Sequence, residues 1–309
     1  MSIRLDEMNI DEVEQYYRNI FEGQLSTNEF DKISSQYRSK YEEVYNAHNN
    51  LHYKVSGGMG RGFKYTLAIL YGWYIEELIY NLISKNPDVA QIEYTGNDAE
   101  HNFIFDEENK LIKIAGEKTT NPDFLITLKD KRKFFIELKT AAAGIFTIKK
   151  GNVMQLYKTI ATTKIYSIIL MIDVINGLYE FKDLNYFSHL HPFVNQRMEG
   201  QLCYHFPTPT KPFSNLIHED FLNDYDDEIY NNPTVLKYSV LNIAQSTNKD
   251  LAKIIKKKLS IDNKKEEFEF QKLTHEAEIA KIIKECPEVE TMSWEELLTI
   301  LRKDEGTSN

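Results

Sequence analysis

The sequence predicts a mixed α/β protein: a mixed central sheet flanked by helices, with helical additions at the N- and C-terminal ends. Three stretches carry that prediction. Residues 63–84 form an apolar run of helical length. Residues 121–139 read as a β-hairpin, two apolar strands joined by the charged turn Lys129-Asp-Lys-Arg-Lys133. Residues 166–173, Tyr-Ser-Ile-Ile-Leu-Met-Ile-Asp, are a continuous apolar run of strand length, the pattern of a strand buried on both faces.

In chain order, residues 9–50 are polar and helix-prone, and Ser26-Thr-Asn-Glu-Phe30 looks like a helix start with an N-cap residue. An accessory helical layer is expected there. Ser56-Gly-Gly-Met-Gly-Arg-Gly62 is a small-residue loop. It is no P-loop, because no Gly-Lys-Ser/Thr follows and it fails G-x-G-x-x-G. Arg61 and Lys64 would serve a nucleic-acid phosphate, or the stretch is a plain linker. The helix over 63–84 is apolar nearly all round, so it should be buried against a sheet, and Pro87 stops it. Glu76 and Glu77 sit inside it. An unpaired buried carboxylate is costly, so one of them should have a partner, unless both face solvent at the helix edge.

Residues 102–106 and 111–114 are short alternating runs about a turn at 107–110, a second hairpin. After Lys139, Thr140-Ala-Ala-Ala-Gly144 is a small-residue stretch where backbone can approach a ligand. A helix over about 149–163 carries Gln155, Tyr157 and Lys158. Lys149, Lys150 and Lys158 either meet phosphates or form a solvated basic face. Asn176-Gly177 is a tight turn after the buried strand, and residues 178–181 return from it. Residues 185–245 read as irregular. His189, His191, Cys203 and His205 are zinc-compatible in type, but their spacing matches no standard finger. Asp224, Asp226, Asp227 and Glu228 read as a solvated acidic run. Residues 248–305 return to charged helix, with Lys256-Lys-Lys258 and Lys264-Lys265 as a solvated face or a DNA contact. Ser293-Trp-Glu-Glu296 is the capping-box start of a last helix.

Composition bounds the function. With 42% hydrophobic and 27% charged residues over 309 positions, the chain reads as a soluble globular protein of one large domain or a core with appendages. No apolar run reaches the ~18–20 residues needed to span a bilayer. The N-terminus carries no signal-peptide pattern, and two cysteines, Cys203 and Cys286, make no disulfide framework. The cytoplasm is the expected location, with no membrane partner. A net charge of −10 counts against nonspecific coating of nucleic acid, yet leaves room for a DNA enzyme with a local basic surface. The expected divisions are an N-terminal helical region over 1–55, a core over 56–185, an irregular insertion over 186–247 and a C-terminal helical region over 248–309.

The chemistry centres on the hairpin at 121–139. Strand side chains alternate faces, so Phe134, Ile136 and Leu138 are expected to point into a core, and Phe135, Glu137 and Lys139 the other way. With Asp123 across the hairpin from Glu137, two carboxylates and one ammonium converge at one end of the sheet. Such a trio can hold a hard divalent cation through oxygen atoms and place it beside an attacking water.

Pro122-Asp123, followed fourteen residues after the aspartate by Glu137-Leu138-Lys139, resembles the PD-(D/E)xK nuclease motif, best known from type II restriction endonucleases. The order of elements over 63–182 is similar to that superfamily's α-β-β-β-α-β core. The resemblance implies a restriction-endonuclease-like fold in which Asp123 and Glu137 bind Mg2+, joined by the backbone carbonyl of Leu138. It implies that Lys139 orients or deprotonates the water and stabilises the transition state. Glu76, four residues after Gly72, is the helix glutamate it implies near the metal. Gln155 fits loosely the glutamine that faces substrate.

The activity so implied is Mg2+-dependent hydrolysis of double-stranded DNA at a specific sequence by a homodimer, with a companion methyltransferase in the same system but not in a stable complex with it. A structure-specific repair or recombination nuclease and a non-catalytic DNA-binding subunit are the alternatives, and no residue excludes RNA as substrate.

Overall fold

A computed structural model describes residues 7–51, 54–55, 63–96, 98–108, 111–116, 119–141, 146–198, 200–221, 227–271 and 276–306. The loop at 56–62 with Arg61, residues 142–145 and Asp224 and Asp226 lie outside them. The chain opens with helices α1 (Ile10–Ile20) and α2 (Thr27–Leu51), strand β1 (Lys54–Val55) and helix α3 (Phe63–Ile83). Strands β2 (Val89–Tyr94), β3 (Phe103–Asp106), β4 (Leu111–Ile114), β5 (Phe124–Leu128), β6 (Lys133–Ala141) and β7 (Thr147–Lys149) follow. Then come α4 (Lys150–Thr163), β8 (Tyr166–Asp173), β9 (Leu178–Asp183), α5 (Asn185–Ser188), β10 (Phe193–Asn195), β11 (Gln201–His205) and β12 (Lys211–Pro212). Helices α6 (Pro233–Thr247), α7 (Lys249–Gln271), α8 (Glu276–Glu285), α9 (Glu288–Thr291) and α10 (Trp294–Gly306) end the described chain. The class is mixed α/β, as the sequence predicts.

These elements form two compact units that interleave in sequence. The first is Met1–Phe146, Tyr166–Lys182 and Phe206–Tyr225; the second is Thr147–Ile165, Asp183–His205 and Asp226–Asn309.

The first unit is built on a mixed six-stranded sheet, order β12-β9-β8-β6-β5-β2. β6 is antiparallel to β5 and parallel to β8. All eight residues of β8 are buried, as its continuous apolar run requires. β6 departs from strict alternation: Phe134, Phe135, Ile136 and Leu138 are all buried, because a central strand is covered on both faces. Phe135 therefore does not face solvent.

Helix α3 buries apolar residues all round because it is covered from two sides. Tyr74 stacks on Tyr37 of α2, with ring centroids 4.9 Å apart. Tyr80 stacks on Tyr94 of β2 at 4.8 Å and donates its hydroxyl to the Ile92 carbonyl at 3.1 Å.

Two sequence expectations need correction. The hairpin β3–β4 forms, but β4 also pairs in parallel with β1, and the three make a separate small sheet. The third strand beside the β5–β6 hairpin is instead β2, which the sequence reading passed over. A register shift between Val89 and Gln91 breaks its alternation, and that hides the period of two. Residues 185–245 are also less irregular than expected. They hold β10, β11, β12 and helix α6, whose start is signalled by Asn232 as N-cap, accepting the Thr234 N–H at 2.9 Å, and by Pro233 in the first turn.

In the second unit β11 pairs antiparallel with both β7 and β10. Val240, Ala244, Leu251, Ile255, Leu259, Leu297 and Leu301 form an apolar core among α6, α7 and α10. Each larger side chain of that kind contributes about 1.5–3 kcal/mol by leaving water. The capping box of α10 forms as read: the Ser293 N–H donates to Glu296 Oε2 at 2.7 Å, and the Glu296 N–H donates to Ser293 Oγ at 3.1 Å.

The β8–β9 turn gives a test. Asp173 accepts the N–H groups of Ile175 (3.0 Å) and Asn176 (3.3 Å), and Gly177 adopts φ of +63°. A Cβ on Gly177 would stand 2.9 Å from Ile20 Cγ2. Strained backbone and clash act together, so Gly177→Ala should destabilise the protein by about 1–3 kcal/mol. A drop of several degrees in the thermal midpoint is expected by calorimetry.

Candidate active site

The register of one hairpin builds the centre of the site. Phe124 of β5 faces Ile136 of β6, so the preceding residue, Asp123, comes up opposite Glu137. The backbone N–H of Leu138 donates to Asp123 Oδ2 at 2.7 Å. Glu137 and Lys139 share a face of β6, two residues apart, and Lys139 Nζ lies 2.5 Å from Glu137 Oε1. Their side chains are only 15% and 29% exposed, so this is no solvated surface pair.

The loop after β2 adds groups the sequence reading missed. The Thr95 N–H donates to the Asp123 carbonyl at 2.9 Å, and its hydroxyl donates to the Pro122 carbonyl at 2.6 Å. These bonds fix the loop against the start of β5. A Cβ on Gly96 would lie 3.2 Å from Asp123 Oδ1 and 3.5 Å from Asp98 Oδ1, so both carboxylates converge on the bare side of this glycine. Asp98 Oδ2 accepts the indole N–H of Trp73 at 2.5 Å.

Both helix glutamates are partnered. Glu76 Oε2 lies 3.2 Å from His101 Nε2, and Glu77 Oε2 accepts the Tyr94 hydroxyl at 2.8 Å. Neither sits at a solvated helix edge. The glycine four residues before Glu76 is not demanded by packing, since a Cβ on Gly72 would meet nothing within 4 Å.

The electrostatics follow from this crowding. Burial raises Glu76 to about 8, with the charge of Asp98 next in weight, Lys139 opposing and Glu137 adding. Burial likewise raises Asp123, reinforced by Glu137, against the pull of Lys139 and the Leu138 N–H. For Lys139, burial alone would lower the pKa. The charges of Glu137 and Asp123, the hydrogen bond to Glu137 and the charge of Glu76 outweigh it and raise the ammonium above its ordinary value. Burial lowers His101 to about 4, against the charges of Asp98 and Glu77, so its imidazole is neutral at pH 7.

Oxygen donors from Asp123, Glu137, Glu76 and Asp98 outnumber the one lysine among them, and that donor chemistry fits a hard divalent cation. Among the described residues, no group of three or more His, Cys, Asp and Glu side chains is placed to hold a metal ion. The Lys139 ammonium instead lies against Glu137.

The other sequence candidates lie elsewhere. Gln155 is on α4 in the second unit, whereas Asp123, Glu137, Leu138, Lys139 and Glu76 all belong to the first. Lys150 is buried, which removes it from a solvated basic face, while Lys158 is exposed. Lys64 pairs with Glu7 at 2.9 Å. The zinc-compatible residues do not gather: Cys203 Sγ packs 3.4 Å from Met198 Sδ, and the His205 ring stacks on Phe193 with centroids 4.1 Å apart. Lys258 donates to the Val289 carbonyl at 3.1 Å, and Lys264 pairs with Glu278, so these lysines tie the C-terminal helices together.

Compared with family models, curated proteins and solved structures, the chain matches none.

The pKa shifts set a pH dependence. Glu76, raised from 4.5 to about 8, contributes stability that is complete below 4.5 and is lost as pH rises through 8. His101, lowered from 6.5 to about 4, contributes stability that is present above 6.5 and is lost as pH falls through 4. Above 6.5 the carboxyl effect acts without that opposition. In a chelating buffer the thermal midpoint should therefore fall between pH 6.5 and 8.5, and Glu76→Gln should flatten the fall. A midpoint in the parent protein that stays level across this range would contradict the assignment.

Proposed function

We propose that this protein is a Mg2+-dependent DNA endonuclease whose active site is the Asp123, Glu137 and Lys139 cluster, and that its first unit is a restriction-endonuclease-like core. The observation that carries the reading is the hairpin register. It sets Asp123 against Glu137 and Leu138, with Lys139 on the Glu137 carboxylate and Glu76 within electrostatic reach. Order along the chain supports it too: helix α3, the β5–β6 hairpin, then β8 parallel to β6, all in the first unit.

Phosphodiester hydrolysis needs an activated water, neutralisation of charge on the phosphorus oxygens and a stabilised leaving alkoxide. Asp123 and Glu137 would hold Mg2+, with the Leu138 carbonyl beside them and Glu76 on the α3 side. When bound, the cation supplies Lewis acidity and a more acidic water. Asp123 is braced for its part by the Leu138 N–H, which fixes one oxygen and leaves the other directed at the loop with Asp98. Lys139 has a raised pKa, so it acts as a fixed positive charge and hydrogen-bond donor to the water or the phosphoryl oxygens, rather than as the base. With Glu137 holding the cation, the Lys139 ammonium that pairs with it here would be available to the substrate.

Sequence specificity, a homodimer that cuts both strands of a palindrome, and a companion methyltransferase belong to the same proposal. So does action in the cytoplasm.

The test is incubation of the purified protein with unmethylated plasmid DNA and Mg2+, beside Lys139→Ala and Asp123→Asn. Discrete fragments, lost at least about 10²-fold in both variants with the circular dichroism spectrum unchanged, are expected. A smear or nicking lost in the variants would indicate a structure-specific nuclease. DNA binding without turnover in Mg2+ or Mn2+ would indicate a binding subunit and overturn the catalytic assignment.

A further inference from the structure

We infer that Tyr37 and His101 form a positioning pair for Glu76, holding one carboxylate oxygen so that the other is presented to the cation site; the inference rests on the nuclease reading above.

The geometry around His101 is over-determined. Its backbone N–H donates to the Asp98 carbonyl at 2.7 Å, and its own carbonyl accepts from Lys40 Nζ. The ring stacks on Trp73, with centroids 5.7 Å apart and planes at 14°, and meets the Tyr94 ring edge-on at 4.6 Å. Nδ1 lies 2.9 Å from the Tyr37 hydroxyl and Nε2 lies 3.2 Å from Glu76 Oε2. The residue is 5% exposed and sits at φ of +46°, in the left-handed region. A non-glycine residue held there is strained and persists only where its surroundings enforce it. Four elements do so here: α2, α3, β2 and the loop after β2.

The chemistry gives the chain of bonds a direction. Beside a bound cation Glu76 would be ionised, and an ionised carboxylate only accepts, so Nε2 must then carry the proton toward it. A neutral imidazole then offers Nδ1 as a lone pair, and the Tyr37 hydroxyl donates to it. Tyr37 thereby selects the tautomer, and His101 fixes Glu76 Oε2. Glu77, the neighbouring acid, accepts the Tyr94 hydroxyl at 2.8 Å, and its Oε2 lies 3.8 Å from His101 Nδ1, farther than the Tyr37 hydroxyl. Outer partners of this kind orient a ligand without touching the metal, and their loss costs roughly 10–100-fold in affinity.

Tyr37→Phe removes the hydroxyl and keeps the ring that stacks on Tyr74, so it separates positioning from packing. Mn2+ affinity of the full chain is measured by titration calorimetry in Tyr37→Phe, Glu76→Gln, the double variant and Asp123→Asn, with His101→Gln as the variant that keeps a donor near the Nε2 position. Tyr37→Phe should weaken Mn2+ by about tenfold or more, with no further loss in the Glu76→Gln background. His101→Gln should stay closer to the parent than Tyr37→Phe. An unchanged affinity in Tyr37→Phe, or an equal loss with and without Glu76, would overturn the pair while Asp123→Asn still abolishes binding. If Asp123→Asn binds Mn2+ like the parent, the nuclease reading itself fails and the positioning role falls with it.

Discussion

One ammonium among four carboxylates is the arrangement that the first unit must hold in place. Glu76, Asp98, Asp123 and Glu137 would repel one another if left to relax, and each loses hydration by being drawn together. The surrounding structure supplies the restraint. β6 sits between β5 and β8, so its backbone cannot shift without breaking two ladders. The Leu138 N–H pins Asp123, Trp73 pins Asp98, and His101 pins Glu76. A small, charged cluster is thereby carried by apolar elements that are rigid for unrelated reasons of packing.

The aromatic residues show how that packing does two jobs. Tyr37, Trp73, Tyr94 and His101 fill the space between α2, α3 and β2 with rings in mutual contact. Each also carries a polar atom: those of Trp73, Tyr94 and His101 reach the acids, and that of Tyr37 reaches His101. An all-aliphatic interior would pack as well but would leave Glu76 and Glu77 without donors, at a cost of several kcal/mol for each buried charge. The polar atoms of the interior and the acids of the site are one network.

Much of this was legible in the sequence and some was not, for identifiable reasons. The β5–β6 hairpin and its acids could be read because strand alternation and a short turn fix which residues meet. Glu76 could be suspected because a carboxylate inside an apolar helix needs a partner. That its partner is His101, braced by Tyr37 sixty-four residues earlier in the chain, has no local signature. Asp98 was equally hidden: a Gly-Asn-Asp turn is common, and only the folded loop brings it against Asp123. β2 was masked by its bulge, and α6 by the polar composition around it, although Asn232-Pro233 marked its start. Gln155 was placed by resemblance alone, and it lies in the other unit.

The interleaving of the two units bears on how the chain is made. It passes from one unit to the other five times between Phe146 and Asp226. The last piece of the first unit, Phe206–Tyr225, contributes edge strand β12 and Glu219, which accepts from Tyr179 and lies 2.7 Å from Lys211. Asn86, just beyond α3, donates to carbonyls of Leu216 and Glu219 at 3.3 and 2.9 Å. A ribosome delivering the chain from its N-terminus has therefore already released α4, β10 and β11 of the second unit before the first can close. The first unit is complete in sequence at Tyr225, while Asp226–Asn309 of the second is still to come, so the first can finish folding with only part of the second made.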